Sequence, residues 1–172
     1  WASMSYDDVK NEMYNFTKES ISTFIKYGAT PDMVQIGNEI TSGMLFPHGQ
    51  RRETNGNAQL GELLNIGSDA VRDSFEKNGK NRSDVKIMLH LDRGGNASIY
   101  KSFFDQYSTH DGSSPTICEV DFDVIGLSYY PIYDSHKTLV DLSNNMNNIS
   151  KRYNKEVCIN LRKNSFEQVD EN

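Results

Sequence analysis

The feature that most constrains this chain is a fourfold alternation of amphipathic helix and short apolar strand. In each predicted helix the apolar side chains recur near helical spacing, and a short apolar run comes after it. The predicted strands are residues 33–37, 85–90, 122–129 and a run that begins at Val157. Because neighbouring parallel strands need long connections, this alternation predicts a parallel sheet with helical crossovers and an α/β fold class.

The predicted helices differ in how clearly their boundaries are marked. The clearest covers residues 139–153, where apolar residues step by three and four. The first helix begins after Ser5, a favourable N-cap, and ends before Gly28, which suits a helix terminus. Its predicted apolar face consists of Val9, Met13, Phe16 and Phe24.

The number of units bears on how much of a fold the chain supplies. A closed (β/α) barrel needs eight such units and about 250 residues. The 172 residues of this chain would therefore form about half of a barrel, and a complete four-stranded open sheet is the structural alternative. The sequence opens at Trp1 without an initiator Met, which suggests that the start lies inside a longer protein. We expect one domain over residues 1–159 and a divergent or disordered tail over residues 160–172, where the pattern fails.

Composition excludes several classes of function. The net charge of −6 argues against nucleic acid as a partner. No apolar run approaches the roughly 20 residues needed to span a bilayer, and the N-terminus lacks a signal-peptide pattern, so no membrane association is expected. The two cysteines, Cys118 and Cys158, form neither a disulfide framework nor a metal-binding pair, and we expect two unpaired thiols.

Polar and aromatic residues gather where the predicted strands end. In parallel α/β folds the functional groups lie at the carboxyl ends of strands, where the loops converge. We therefore expect these side chains to form one site. They are Asn38 and Glu39 after the first strand, His90 and Asp92 at the second, and Ser128, Tyr129 and Tyr130 at the third.

Glu39 is the candidate with the clearest chemistry. A glutamate in a cleft can have its pKa raised by burial and can act as a general acid toward a leaving oxygen. Asn38 beside it could donate hydrogen bonds to a substrate hydroxyl. The alternative is that Asn38 caps a helix and Glu39 is a first-turn carboxylate that favours the helix dipole.

The other candidates also allow structural interpretations. His90 could contact substrate or could be a structural histidine bonded to the backbone. Asp92 could cap the following loop, and Tyr129 could reach the cleft or pack in the core. The loop aromatics Phe46 and Tyr133 could stack on a sugar or anchor their loops.

Four sequence blocks carry a family resemblance. Residues 34–40 read VQIGNEI, residues 43–49 read GMLFPHG, residues 89–94 read LHLDRG, and residues 121–131 read DFDVIGLSYYP. In this order and spacing they closely resemble glycoside hydrolase family 53, the arabinogalactan endo-β-1,4-galactanases. The resemblance covers roughly residues 1–157.

The resemblance implies a fold, a reaction and roles for individual residues. It implies an eight-stranded (β/α)8 TIM barrel that hydrolyses β-1,4-galactan or galacto-oligosaccharide with retention, using two glutamates at the ends of strands four and seven. The strands found here would then be the fourth to the seventh. Glu39 matches the acid/base, Asn38 the asparagine that contacts the sugar, and His90, Asp92 and Tyr129 positions that line the cleft. The resemblance implies no cofactor or metal for this chain. It implies a secreted or cell-surface location.

The chain departs from the family pattern at the second glutamate. In the family the seventh strand leads to a VVETAY-type motif whose glutamate is the nucleophile. This chain reads VCINLR over residues 157–162, and Leu161 stands approximately where the nucleophile belongs. Leucine cannot form a glycosyl ester, and a retaining mechanism needs a second carboxylate about 5 Å from the first. Glu156 precedes the strand and Glu167 lies in the tail, so both are poor substitutes.

This departure leaves three hypotheses open. The first is a galactanase by ancestry that is inactive by itself, for which an interrupted reading frame near residue 159 is one explanation. The second is a noncatalytic galactan-binding or assembly module. The third is an unstable fragment without a biochemical role.

Overall fold

The computed structural model describes residues 1–110, 112, 116–131 and 137–161. The described residues form four helices and six strands. The helices are α1 (Tyr6–Lys26), α2 (Gly56–Lys77), α3 (Ala97–Tyr107) and α4 (Leu139–Tyr153). The strands are β1 (Met33–Ile36), β2 (Gly43–Met44), β3 (Gly49–Gln50), β4 (Lys86–Leu91), β5 (Val124–Tyr129) and β6 (Glu156–Leu161). Two short 3₁₀ turns, Ile40–Ser42 and Arg82–Asp84, precede β2 and β4.

Four of the strands form one parallel sheet in the order β1-β4-β5-β6. A helix lies between each strand and the next in this sheet, as the alternation predicts, and the α/β fold class is confirmed. The strands β2 and β3 form a small antiparallel hairpin between β1 and α2. The carboxyl ends of the four parallel strands therefore meet at one edge of the sheet.

The last strand extends further than the sequence predicts. We expected the strand pattern to fail after Ile159, but β6 continues through Leu161 because its backbone pairs with Ser128 and Tyr129 of β5. Ladder hydrogen bonds satisfy backbone donors and acceptors whatever the side chain, so a polar residue such as Asn160 does not end the strand. Residues 162–172 of the expected tail lie outside the described residues.

The ends of α1 follow the capping rules that predict them, and α4 has a cap of its own. The Ser5 side chain accepts a hydrogen bond from the backbone N–H of Asp8 at 3.1 Å, and Gly28 comes after α1 with a φ of +81°. At α4, Thr138 and Asp141 form a reciprocal capping box. These bonds satisfy amide groups that the helices leave unpaired.

The core lies between the sheet and the helices, and α3 contributes most of its aromatic volume. The side chains of Tyr100, Phe103, Phe104 and Tyr107 are fully buried. Phe104 sits at the centre of this group, with ring centroids 5.1 Å from Phe103 and 5.5 Å from Phe122. Aromatic pairs at such distances contribute favourable packing in addition to the burial of apolar surface.

The apolar face predicted for α1 is only partly correct. Val9 is fully buried, but Phe16 and Phe24 are 66% and 54% exposed. The helix packs along α2, and the side that carries these two phenylalanines stays largely exposed. Periodicity identifies an apolar side of a helix but does not say how much of it a neighbour covers.

Two composition-based expectations can be compared with the structure. Cys118 and Cys158 are both free thiols, as predicted. Within the described part of the chain, no helix combines the length and the apolar character needed to cross a bilayer.

The difference between Phe104 and Phe16 gives a direct test of the core. We expect Phe104→Ala to lower the free energy of unfolding by about 3–5 kcal/mol, because it leaves a cavity among fully packed rings. The matched control, Phe16→Ala, should change it by less than about 0.5 kcal/mol. Urea denaturation followed by circular dichroism measures both values, and equal losses would contradict this description of the core.

Candidate active site

The turn after β1 has a left-handed backbone at two positions. Gly37 has a φ of +72°, and a Cβ atom there would lie 2.5 Å from Cγ2 of Ile40. Glu39 has a φ of +50° and a ψ of +51°, a conformation that costs a residue with a side chain about 1–2 kcal/mol. Backbone strain of this kind persists only where the surrounding structure enforces it, and it is concentrated at functional sites.

The structure also decides between the two interpretations of Asn38 and Glu39. The 3₁₀ turn Ile40–Ser42 comes next in the chain, and the residue at its N-cap position is Glu39, which makes no side-chain capping bond. The alternative in which Asn38 caps a helix is therefore wrong. The side chain of Glu39 is not used to stabilise local structure.

The Glu39 carboxylate is available for chemistry. Glu39 is half-buried, and within the described ranges its carboxylate makes no hydrogen bond and no ion pair. Both oxygens of this carboxylate are therefore free to exchange a proton with a bound molecule. It can serve as an acid or base toward a bound molecule.

Asn38 is held by its oxygen and leaves its amide nitrogen free. The Oδ1 atom lies 3.2 Å from Nε2 of Gln35 and 3.2 Å from Nδ1 of His90. Gln35 also donates from Nε2 to the carbonyl of Gly37 at 2.6 Å, which fixes its own orientation. Asn38 is exposed, and Nδ2 has no hydrogen-bond partner among the described residues, so it can donate to a ligand.

His90 connects the turn after β1 to β5. Its Nε2 lies 2.9 Å from the Ser128 hydroxyl, and its Nδ1 lies 3.2 Å from Asn38 Oδ1 and 3.4 Å from the Glu39 backbone nitrogen. In one tautomer Nδ1 donates to Asn38, and in the other it accepts from Glu39. Both ring nitrogens are therefore used inside the protein. The role this geometry gives His90 is to position the turn, and contact with a substrate stays a prediction.

The environment of His90 favours the neutral imidazole. The side chain is only 3% exposed. Burial lowers its pKa, while the negative charges of Glu39 and Asp92 oppose that effect and are weaker. A neutral ring donates one hydrogen bond and accepts another, which is the pattern that these neighbours require.

Asp92 lies on the next strand end and is anchored on two sides. Its carboxylate accepts a hydrogen bond from the Thr41 hydroxyl and pairs with Nε of Arg93 at 2.8 Å. Its backbone carbonyl accepts from the Tyr100 hydroxyl at 3.2 Å. Asp92 therefore joins the 3₁₀ turn after β1 to β4 and stands at the rim of the same site, with its side chain 30% exposed.

The aromatic candidates are placed differently from one another. Tyr129 is 3% exposed, and its hydroxyl donates to the carbonyl of Lys137 at 3.0 Å. Its contact with a sugar stays a prediction. Phe46, on the β2-β3 hairpin loop, is 47% exposed, and Tyr133 lies outside the described residues.

Gln35 and Thr41 are site residues that the sequence argument missed. Gln35 sits inside an apolar strand, where a polar residue directed to one face is a signal that periodicity could have provided. Thr41 contacts Asp92 across 51 positions of sequence, and no local pattern predicts that contact.

The positions considered for a second carboxylate are separated along β6. Glu156 pairs in register with Val124, at the opposite end of the sheet from Glu39, and its carboxylate binds Nζ of Lys86 at 2.6 and 2.7 Å. Leu161 pairs in register with Tyr129, at the carboxyl end. Glu167 lies outside the described residues.

Comparison with known proteins identifies the family to which the chain belongs. The model of glycosyl hydrolase family 53 matches residues 1–171. This chain belongs to glycosyl hydrolase family 53. The family match continues past residue 157, where the sequence resemblance was expected to end, and includes nearly all of the expected tail.

Several curated proteins are similar to this family 53 chain. An uncharacterized protein in the bgaB 5′ region of Niallia circulans is 34% identical over 164 residues, which are 92% of this chain and 40% of that protein. A probable arabinogalactan endo-β-1,4-galactanase A of Neosartorya fischeri is 34% identical over 159 residues, with 92% and 42% covered. The chain thus spans less than half the length of these relatives.

Two solved structures share its fold. One, from a study of two fungal β-1,4-galactanases, has a TM-score of 0.75 and 33% identity, and the match covers 92% of this chain and 44% of that one. The other, a family 53 catalytic domain from Ignisphaera aggregans, has a TM-score of 0.74 and 34% identity over 92% and 38%. These neighbours are (β/α)8 barrels, so the predicted partial barrel is confirmed and favoured over an open sheet.

The buried histidine gives this family 53 chain a specific dependence on pH. Because the folded pKa of His90 is lowered, the unfolded chain takes up a proton below about pH 6.5 while the folded chain does not. The contribution of His90 to the free energy of unfolding is therefore fully present above that pH and declines as the pH falls. We expect His90→Gln to lose less free energy of unfolding than the parent between about pH 7 and about pH 5.

Urea denaturation at several pH values measures these slopes independently of the overall loss caused by the substitution. If the variant and the parent lose the same free energy across this window, His90 is not buried as a neutral group.

Proposed function

We propose that this chain carries the acid/base side of an endo-acting β-1,4-galactanase that acts with retention of configuration. The observation that carries the proposal is the unpaired Glu39 carboxylate, within the described ranges, on a strained turn at the carboxyl end of a parallel strand. The names of the similar proteins support β-1,4-galactan as the substrate.

In this proposal Glu39 acts twice. It first protonates the glycosidic oxygen as the sugar–oxygen bond breaks, and it later removes a proton from the water that releases the product. Asn38 donates from Nδ2 to a hydroxyl of the sugar beside the scissile bond. His90 and Ser128 hold the turn, and Asp92 forms part of the cleft wall together with Tyr129.

The retaining reaction also needs a nucleophile, and the chain has leucine at the corresponding strand end. Leu161 is level with Tyr129 at the carboxyl end of β6, where a side chain without an oxygen cannot attack an anomeric carbon. We infer that the chain binds galactan without completing the double displacement by itself. This same residue favours the second candidate function, a noncatalytic galactan-binding or assembly module.

The place of action depends on the size of the substrate. A polymeric galactan does not cross a bilayer, so we place the activity outside the cell, in a secreted or cell-surface protein. Galactan or a galacto-oligosaccharide is the proposed partner.

The proposal predicts the effect of restoring a carboxylate. We expect Leu161→Glu to produce hydrolysis of β-1,4-galactan that the parent chain lacks, because a glycosyl ester can then form. Adding Glu39→Gln to that variant should reduce the rate at least a hundredfold, because the leaving group is no longer protonated. Reducing-end release measures both rates, and adding Glu12→Gln instead, an exposed glutamate of α1, is the matched control.

The two candidate functions give different results in this experiment. Binding of galactotetraose by the parent with no turnover by Leu161→Glu would favour the noncatalytic module. Turnover that survives Glu39→Gln would sink the acid/base assignment. Sequencing the gene across the codons for residues 157–162 tests the interrupted-frame explanation directly, since a shifted frame would restore a glutamate there.

A further inference from the structure

A cavity of about 450 Å³ adjoins the candidate active site and shares Thr41 and Arg93 with its rim. Its walls come from the 3₁₀ turn after β1, the loop after β3, the loop after β4 and the start of α3. The residues that line it are Thr41, Ser42, Arg51, Arg52, Arg93, Ser98, Ile99 and Ser102.

Arg51 is the most buried charge in the cavity wall. It is 8% exposed, and its terminal nitrogens donate to the carbonyls of Thr41 at 2.7 Å and Ser102 at 3.1 Å. Its Nε is buried and has no hydrogen-bond partner among the described residues. Burial lowers the pKa of Arg51, and the neighbouring Tyr107 opposes that effect.

The cavity has an excess of positive charge. Three of its residues are arginines, and no Asp or Glu is among the described residues that line it. Arg93 is paired with Asp92, whereas within the described ranges neither Arg51 nor Arg52 forms an ion pair. In a chain of net charge −6, two arginines without a carboxylate at one cavity mark a place for an external anion.

The chemistry of the walls narrows the kind of anion. Guanidinium groups bind carboxylates through paired N–H donors, and hydroxyl side chains bind sugar hydroxyls. Thr41, Ser42, Ser98 and Ser102 provide such hydroxyls around the arginines. The Thr41 side chain also bonds to Asp92, so the cavity shares a wall with the proposed galactan cleft.

We propose that this cavity binds the carboxylate of an acidic sugar, a uronate unit, on the polysaccharide whose neutral chain occupies the adjacent cleft. The identity of the neutral chain rests on the proposed function, and the binding of a carboxylate does not. Arg52 is exposed and contributes the accessible charge, the hydroxyls orient the sugar, and the buried Arg51 adds positive potential to the wall.

Calorimetric titration of the 172-residue chain tests the proposal with three probes: trigalacturonate, galactotriose and inorganic phosphate. We expect Arg52→Gln to weaken trigalacturonate binding about fivefold and to leave galactotriose binding unchanged. Arg52→Lys keeps the charge but loses the paired donors, so its loss should be smaller. Lys151→Gln removes one positive charge at the opposite end of the sheet, on the last turn of α4, and should change neither affinity.

Each outcome has a defined meaning. Binding of galactotriose without trigalacturonate overturns the uronate site and leaves the proposed function standing. The chain could instead bind trigalacturonate, with Arg52→Gln weakening that binding, and not bind galactotriose. This result supports the uronate site in the cavity and counts against the galactanase proposal. If phosphate binds as tightly as trigalacturonate and displaces it, the assignment to a sugar is overturned. The assignment is also overturned if Lys151→Gln weakens trigalacturonate binding as much as Arg52→Gln does. Thermal unfolding of each variant verifies that the fold is intact.

Discussion

The contact on which the candidate site depends is the bridge made by His90 between the turn after β1 and the Ser128 hydroxyl of β5. His90 lies on β4, between those two strands, and uses both ring nitrogens. The bridge supports Glu39 in a left-handed conformation that its own side chain disfavours. A buried neutral imidazole thus supports the turn that carries the Glu39 carboxylate.

Much of the fold could be predicted from the sequence because local periodicity and capping agree with the final packing. The helix from Leu139 to Tyr153 begins and ends where its apolar steps indicate. The exposed Phe16 and the two extra residues of β6 could not be predicted in this way. Both depend on which neighbour lies alongside, and that information is not contained in the segment itself.

The position of the candidate site could be predicted from the sequence. The hydrogen bonds among its residues could be predicted less well. The rule that functional groups collect at the carboxyl ends of parallel strands brought Asn38, Glu39, His90 and Asp92 together correctly. The rule does not say which side chain faces a ligand and which supports another. That division depends on burial and on partners distant in sequence, such as the contact of Thr41 with Asp92, and it appears only once the strands are in register.

The order of strands in the sheet has a mechanical consequence for the proposed reaction. Glu39 comes after β1 and Leu161 ends β6, which are the two outer strands of the order β1-β4-β5-β6. Three strand spacings would separate them by roughly 14 Å in a flat sheet, whereas two carboxylates of a retaining pair must approach to about 5 Å. The curvature of the sheet, summed over every strand between them, therefore sets the width of the site, and a core substitution that flattens the sheet would open that gap without touching any residue in the cleft.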